Sequence, residues 1–132
     1  MSQQLSVNRL SGPDDNDDRE VPNPSWPEIE AAIRGLDGDR CTLVILGIGD
    51  PVPHMGVGGG GGKYVVYLTD DNLTFYNLID PQAASGTFEL KAGGQFGDYQ
   101  LRQRANLDQV LVAAKTYAQI GKPDPALRWE KQ

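Results

Sequence analysis

The 132 residues are 39% hydrophobic and 23% charged, with 18 acidic against 12 basic side chains, one Cys and one His, and a formal net charge of −6. A chain of this length makes one domain that withdraws roughly two-thirds of its unfolded surface from water, so a core holds it without staples. A single Cys and a single His exclude an internal disulfide and a Cys/His zinc centre, leaving only an all-carboxylate ion site open, while the acidity argues against nucleic acid or an anionic membrane as a partner.

The opening Met1-Ser2-Gln3-Gln4-Leu5 has no cationic start and no long apolar stretch, and the apolar run Leu43 to Leu46 is far too short to span a bilayer. The expectation is a soluble, cytoplasmic chain. After Leu10 the first 24 residues carry almost no large apolar side chains, and Gly12-Pro13-Asp14-Asp15-Asn16-Asp17-Asp18 is a turn-prone acidic block. So little apolar surface does not offset a backbone ordering cost of roughly 1–2 kcal/mol per residue, which predicts a disordered acidic arm over residues 1–24 and a folded domain over 25–132.

Ser25-Trp26-Pro27-Glu28 reads as a helix start, with a capping Ser, a Glu three positions later and Pro in the first turn. Trp26, Ile29, Ile33 and Leu36 share one helical face, and Asp37-Gly38 is the expected stop. Cys41 to Leu46, β-branched and apolar on both faces, predicts an inner strand, followed by a loop from Gly47 to Pro53. A hairpin follows: a strand from His54 through Val57, a loop of five glycines (Gly58 to Gly62) and a return strand Lys63 to Thr69. Asp70-Asp71-Asn72 is a turn, Leu73 to Ile79 a strand, and Thr87 to Lys91 a strand with Phe88 and Leu90 facing the core and Glu89 the solvent. Asn106 caps a last helix whose stripe of Leu107, Val110, Leu111, Ala114, Tyr117 and Ala118 ends before Gly121 and Pro123. Short connections leave no room for crossover helices, so the predicted fold is α+β, an antiparallel sheet of four to five strands packed with two helices in a single domain.

No active site emerges from the residue types. Gly56-Val57-Gly58-Gly59-Gly60-Gly61 formally fits a dinucleotide-binding pattern, but a strand rather than a helix follows it, so a hairpin loop or a close packing contact is the expected role. His54 has no sequence partner that marks a general base, and Cys41 has no cationic neighbour to activate it. Turn carboxylates such as Asp70 and Asp71 stay hydrated, and Tyr64, Tyr67, Phe75 and Tyr76 lack the interleaved basic residues of a stacking platform. No catalytic residue, cofactor or metal is predicted, which favours an inhibitor or binding module over an enzyme.

Trp26-Pro27-Glu28-Ile29-Glu30, Leu36-Asp37-Gly38, Val57-Gly58-Gly59-Gly60, Tyr64-Val65-Val66-Tyr67, Gly97-Asp98-Tyr99, Leu107-Asp108 and Pro125-Ala126-Leu127-Arg128-Trp129-Glu130 stand in an order that resembles the deaminase-associated immunity proteins of bacterial polymorphic toxin systems. The resemblance covers about residues 25 to 130 and leaves the acidic arm outside it. It implies a non-enzymatic inhibitor, made beside a toxin of the nucleic-acid deaminase class, that binds the toxin 1:1 in the producing cell's cytoplasm. With only Cys41 and His54, the chain lacks the three zinc ligands of such a deaminase. An acidic protein is steered toward the cationic groove of an enzyme that handles nucleic acid and occupies it. Acids beside aromatics nominate Asp70, Asp71, Asn72 and Tyr76, together with Gln95, Asp98 and Tyr99, as the partner-binding residues. The competing expectation is a small-ligand or enzymatic α+β domain with a pocket under the glycine hairpin.

Overall fold

The computed structural model describes residues 5–17, 19–49 and 52–132. Its first helix, α1 (Trp26–Arg34), begins where predicted. The Ser25 hydroxyl accepts the Glu28 N–H at 3.3 Å, and the Glu28 carboxylate accepts the Ser25 N–H at 2.9 Å. Ile29 and Ile33 are fully buried. The helix stops earlier than expected, at Gly35, and Asp37 closes the next turn by accepting the N–H groups of Asp39, Arg40 and Cys41. The second helix, α2 (Leu107–Ile120), has reciprocal Asn106 and Gln109 caps, each at 2.9 Å, and ends on a left-handed Gly121. Val110, Ala113, Ala114, Tyr117 and Ala118 face inward from it.

The strands are β1 (Arg9–Ser11), β2 (Glu20–Pro22), β3 (Leu43–Gly47), β4 (His54–Gly60), β5 (Lys63–Thr69), β6 (Phe75–Ile79), β7 (Thr87–Ala92), β8 (Gln95–Gln100) and β9 (Arg128–Lys131). Seven of them form one sheet in the order β2-β1-β3-β4-β5-β6-β9, every pair antiparallel. Alternation sorts their side chains. Val44, Leu46, Met55, Val57, Tyr64, Val66, Leu68 and Leu78 join the helices in the core, whereas Leu43, Ile45, Val65, Tyr67 and Phe75 point to the opposite, outer face and are half-buried. On that outer face lies a separate two-stranded hairpin, β7–β8.

The α+β class, the two helices and the antiparallel pairing agree with the sequence reading, but the sheet has seven strands rather than four or five. Two of the additional strands come from the segment expected to be a disordered arm. Leu10 and Val7 are only 3% and 2% exposed, and β1 pairs with β3 through Leu10↔Leu46. The three-residue strands are too short to stand alone, so the preformed edge of β3 supplies the pairing that local composition does not. Residues 1–4 and Asp18 of that arm lie outside the described residues, as do Asp50 and Pro51 of the predicted loop. The other addition, β9, buries little beyond Trp129, and its charged flanks suit an edge strand.

Two further expectations change. Thr87 to Lys91 does not enter the main sheet: Leu90 is buried against its outer face, outside the main core, while Phe88 is half-buried beside Tyr99 with ring centroids 6.1 Å apart. Of the five glycines, Gly58, Gly59 and Gly60 continue β4, and only Gly61-Gly62 turns, both at positive φ as a two-residue hairpin loop requires.

Candidate partner-binding site

The turn between β5 and β6 is built by its own side chains. Asp71 accepts the N–H groups of Leu73 (2.9 Å) and Thr74 (2.7 Å), while the buried Thr69 hydroxyl accepts from Asn72 N–H and donates to the Thr74 carbonyl. The backbone donors of Thr74 and then Leu73 hold the Asp71 carboxyl below the usual carboxylate range. Asp70, Asp71 and Asn72 are exposed, and Leu73 at the tip is 86% exposed. Tyr76 does not join them at the surface; it lies on the helix-covered side, half-buried against the core, opposite Lys131 of β9.

Gln95, Asp98 and Tyr99 sit on β8. Their cross-strand partners are Ala92, Glu89 and Phe88. Gln95 and Asp98 are exposed, whereas Tyr99 turns inward onto Phe88. The hairpin is fastened at its tip, where the Gly94 N–H donates to the Thr42 hydroxyl at 2.9 Å, and beneath Ala92, where Gly58 leaves the space for it. Thr69, which leads into the Asp70 turn, pairs with His54, four residues before Gly58 on β4. The residue leading into the Asp70 turn and the point where the hairpin's Ala92 docks therefore meet that strand about 13 Å apart along its axis. The fold brings Asp70 to Asn72 together, and separately Gln95, Asp98 and Tyr99, but does not merge the two.

Two residues not nominated from the sequence share these surfaces, Leu73 and Glu89, and Phe96, inside the stretch from Gln95 to Tyr99, is 68% exposed. Gly93-Gly94 is a two-residue hairpin signal, and placing the turn there would have paired Glu89 with Asp98 in advance.

The remaining chemistry is quiet. Burial first, and then the carboxylates of Asp37, Asp14 and Asp15, push the Cys41 thiol up, away from the reactive thiolate. His54 meets the Tyr67 ring edge-on at 5.6 Å, with its Nε2 3.3 Å from a hydroxyl whose pKa burial raises. Among the described residues no group of three His, Cys, Asp or Glu side chains is arranged to hold a metal ion, and no helix is long and apolar enough to cross a membrane. The space under the glycine hairpin is filled by the chain itself. A Cβ on Gly58 would stand 2.8 Å from that of Ala92, and one on Gly60 would run into the backbone of Asp37 and Gly38. The larger hollows lie elsewhere: a groove of about 720 Å³ beside Asp80, Gly86 and Arg102, and one of about 930 Å³ between Asn8, Trp26 and Lys115.

The family model for immunity protein Imm1 matches residues 17–131, and the chain belongs to that family. Membership implies a toxin-inhibiting, non-enzymatic role with a cognate toxin as partner. The match takes in β2 and begins within the acidic segment that the resemblance had left outside. No curated protein matches the chain.

Proposed function

We propose that this immunity protein inhibits its toxin by covering the toxin's cationic substrate groove, as a 1:1 complex in the cytoplasm of the producing cell, and that the toxin is a nucleic-acid deaminase. One observation carries the occlusion reading: Asp70, Asp71, Glu89 and Asp98 are all exposed, and none of them is in an ion pair among the described residues. Uncompensated carboxylates raise the potential that steers a basic partner, and they mimic the phosphates such a groove is built to receive. The deaminase class is supported by the motif order from Trp26 to Glu130. The nominated contacts remain Asp70, Asp71, Asn72, Tyr76, Gln95, Asp98 and Tyr99, of which Tyr76 and Tyr99 act from below the surface by supporting the exposed groups.

The test uses the toxin domain encoded by the gene adjoining that of this chain. Its deaminase activity on single-stranded and duplex DNA and RNA is measured with and without equimolar immunity protein, and complex formation is followed kinetically. Loss of activity on addition is expected, with a Asp70→Lys/Asp71→Lys variant associating more slowly at low salt. A toxin that deaminates nothing removes the assigned class, and inhibition at an unchanged association rate removes that turn from the interface.

A further inference from the structure

The β7–β8 hairpin presents two faces of opposite character. Its inner face is used by the fold: Leu90 is buried, Ala92 covers Gly58, and Phe88 packs on Tyr99. The outer face carries Glu89 directly opposite Asp98 and Lys91 directly opposite Phe96. Facing positions on a strand pair place Cβ atoms roughly 4.5–5.5 Å apart, where like charges destabilise the pair. Among the described residues neither acid is in an ion pair. Lys91, the nearest cation in the ladder, donates to the Asp39 carbonyl at 2.7 Å and lies 5.6 Å from the centre of the Phe96 ring, and it forms no ion pair with either acid. Phe96 is thus a large aromatic left 68% exposed on the face that carries two like charges at facing positions.

We infer that the outer face of β7–β8 is the docking surface for the toxin, with Phe96 as the buried anchor and the Glu89–Asp98 pair as a clamp for one arginine or lysine side chain of the toxin. The inference rests on the occlusion reading above and names its contact. A single cation set between the two carboxylates turns a repulsive pair into two charge-assisted hydrogen bonds, and an arginine at that point also lies close enough to stack on the Phe96 ring. The occupant follows from charge: around Phe96 the face sets two carboxylates, Glu89 and Asp98, against one ammonium, Lys91, which is held by the Asp39 carbonyl, and this net negative rim is complementary to a basic groove with an apolar socket. The exposed Leu73 turn is the competing surface, but an aliphatic tip between hydrated acids is a weaker anchor than an aromatic side chain.

The experiment measures stability of the free chain and rates of binding to the adjoining gene's toxin domain for wild type, Phe96→Ala, Glu89→Gln, Asp98→Asn and Leu73→Ala. All four substitutions are at exposed positions, so the variants fold. Phe96→Ala is expected to speed dissociation about 10- to 100-fold. Glu89→Gln and Asp98→Asn are expected to slow association several-fold while raising the Tm of the free chain by about 1–4 °C, opposite effects that a purely structural pair does not produce. Rates within twofold of wild type for Phe96→Ala and for both amide variants overturn the inference, as does faster dissociation confined to Leu73→Ala. A wild-type chain that does not bind this toxin at all overturns the occlusion reading itself, and the clamp with it.

Discussion

Asp15 and Thr42, separated by 27 residues, are joined twice: the carboxylate accepts the Thr42 N–H at 3.0 Å and the Thr42 hydroxyl at 2.7 Å. The same hydroxyl accepts the Gly94 N–H at 2.9 Å, so one fully buried side chain links the acidic segment, β3 and the tip of the outer hairpin. Thr42→Val keeps the shape and removes both hydroxyl bonds, leaving only the Thr42 N–H on Asp15. A loss of about 1–3 kcal/mol is expected in urea unfolding, because the Gly94 N–H loses its acceptor and the Asp15 carboxylate loses one of its donors. Asp15→Ala should cost a similar amount, and the double variant less than the sum, since both substitutions break one network.

Gly58 tests how the hairpin is docked. The Cβ of Gly58→Ala meets the Ala92 Cβ at 2.8 Å, and both atoms are fixed by backbone, so the hairpin has to shift. A destabilisation of about 1–3 kcal/mol is expected by chemical denaturation. Combining it with Ala92→Gly should recover much of the loss, and no recovery would place the clash elsewhere.

Tyr117 is fully buried, and its hydroxyl has no hydrogen-bond partner among the described residues. Burial pushes its pKa well up, with the Asp70 carboxylate adding to the effect. Tyr117→Phe removes an unsatisfied polar atom and keeps the ring. Its unfolding free energy should therefore equal that of the wild type or exceed it by up to about 1 kcal/mol; a loss of more than that would reveal a partner for the hydroxyl.

The carboxyls of Asp37 and Asp71 both titrate below the usual carboxylate range, chiefly through backbone donors, from Cys41 and Thr74 respectively. Groups whose pKa folding depresses contribute stability that is present above the unfolded value, about 3.9, and lost as pH falls through the folded value. The stability difference between wild type and Asp71→Ala, read by denaturant titration, should thus be constant from pH 8 to pH 5 and shrink below about pH 4. A difference that persists at pH 2 would show that the carboxylate charge is not what holds the turn.

Burial pushes the Cys41 thiol up, and three aspartates add to the shift, so the thiolate is scarce at neutral pH. Alkylation of the native chain at pH 7.5 should run slower than that of the same thiol in urea. Equal rates would mean that the site neither buries nor repels.

Both helices were legible because their signals are local: Ser25 with Glu28, Asn106 and Gly121 each act within one turn, and the apolar stripes repeat at helical spacing. The same holds for the β4–β5 hairpin and for the Asp70 turn, whose donors and acceptors lie within five residues. Composition likewise determined that one Cys and one His cannot build a Cys/His zinc site within the chain. The tertiary structure alone decided the rest. Three-residue β1 and β2 exist only because β3 offers an edge, and Gly58 is an address only because Ala92 lands on it. Partners of this kind are set by contacts distant in sequence, and no local propensity encodes them.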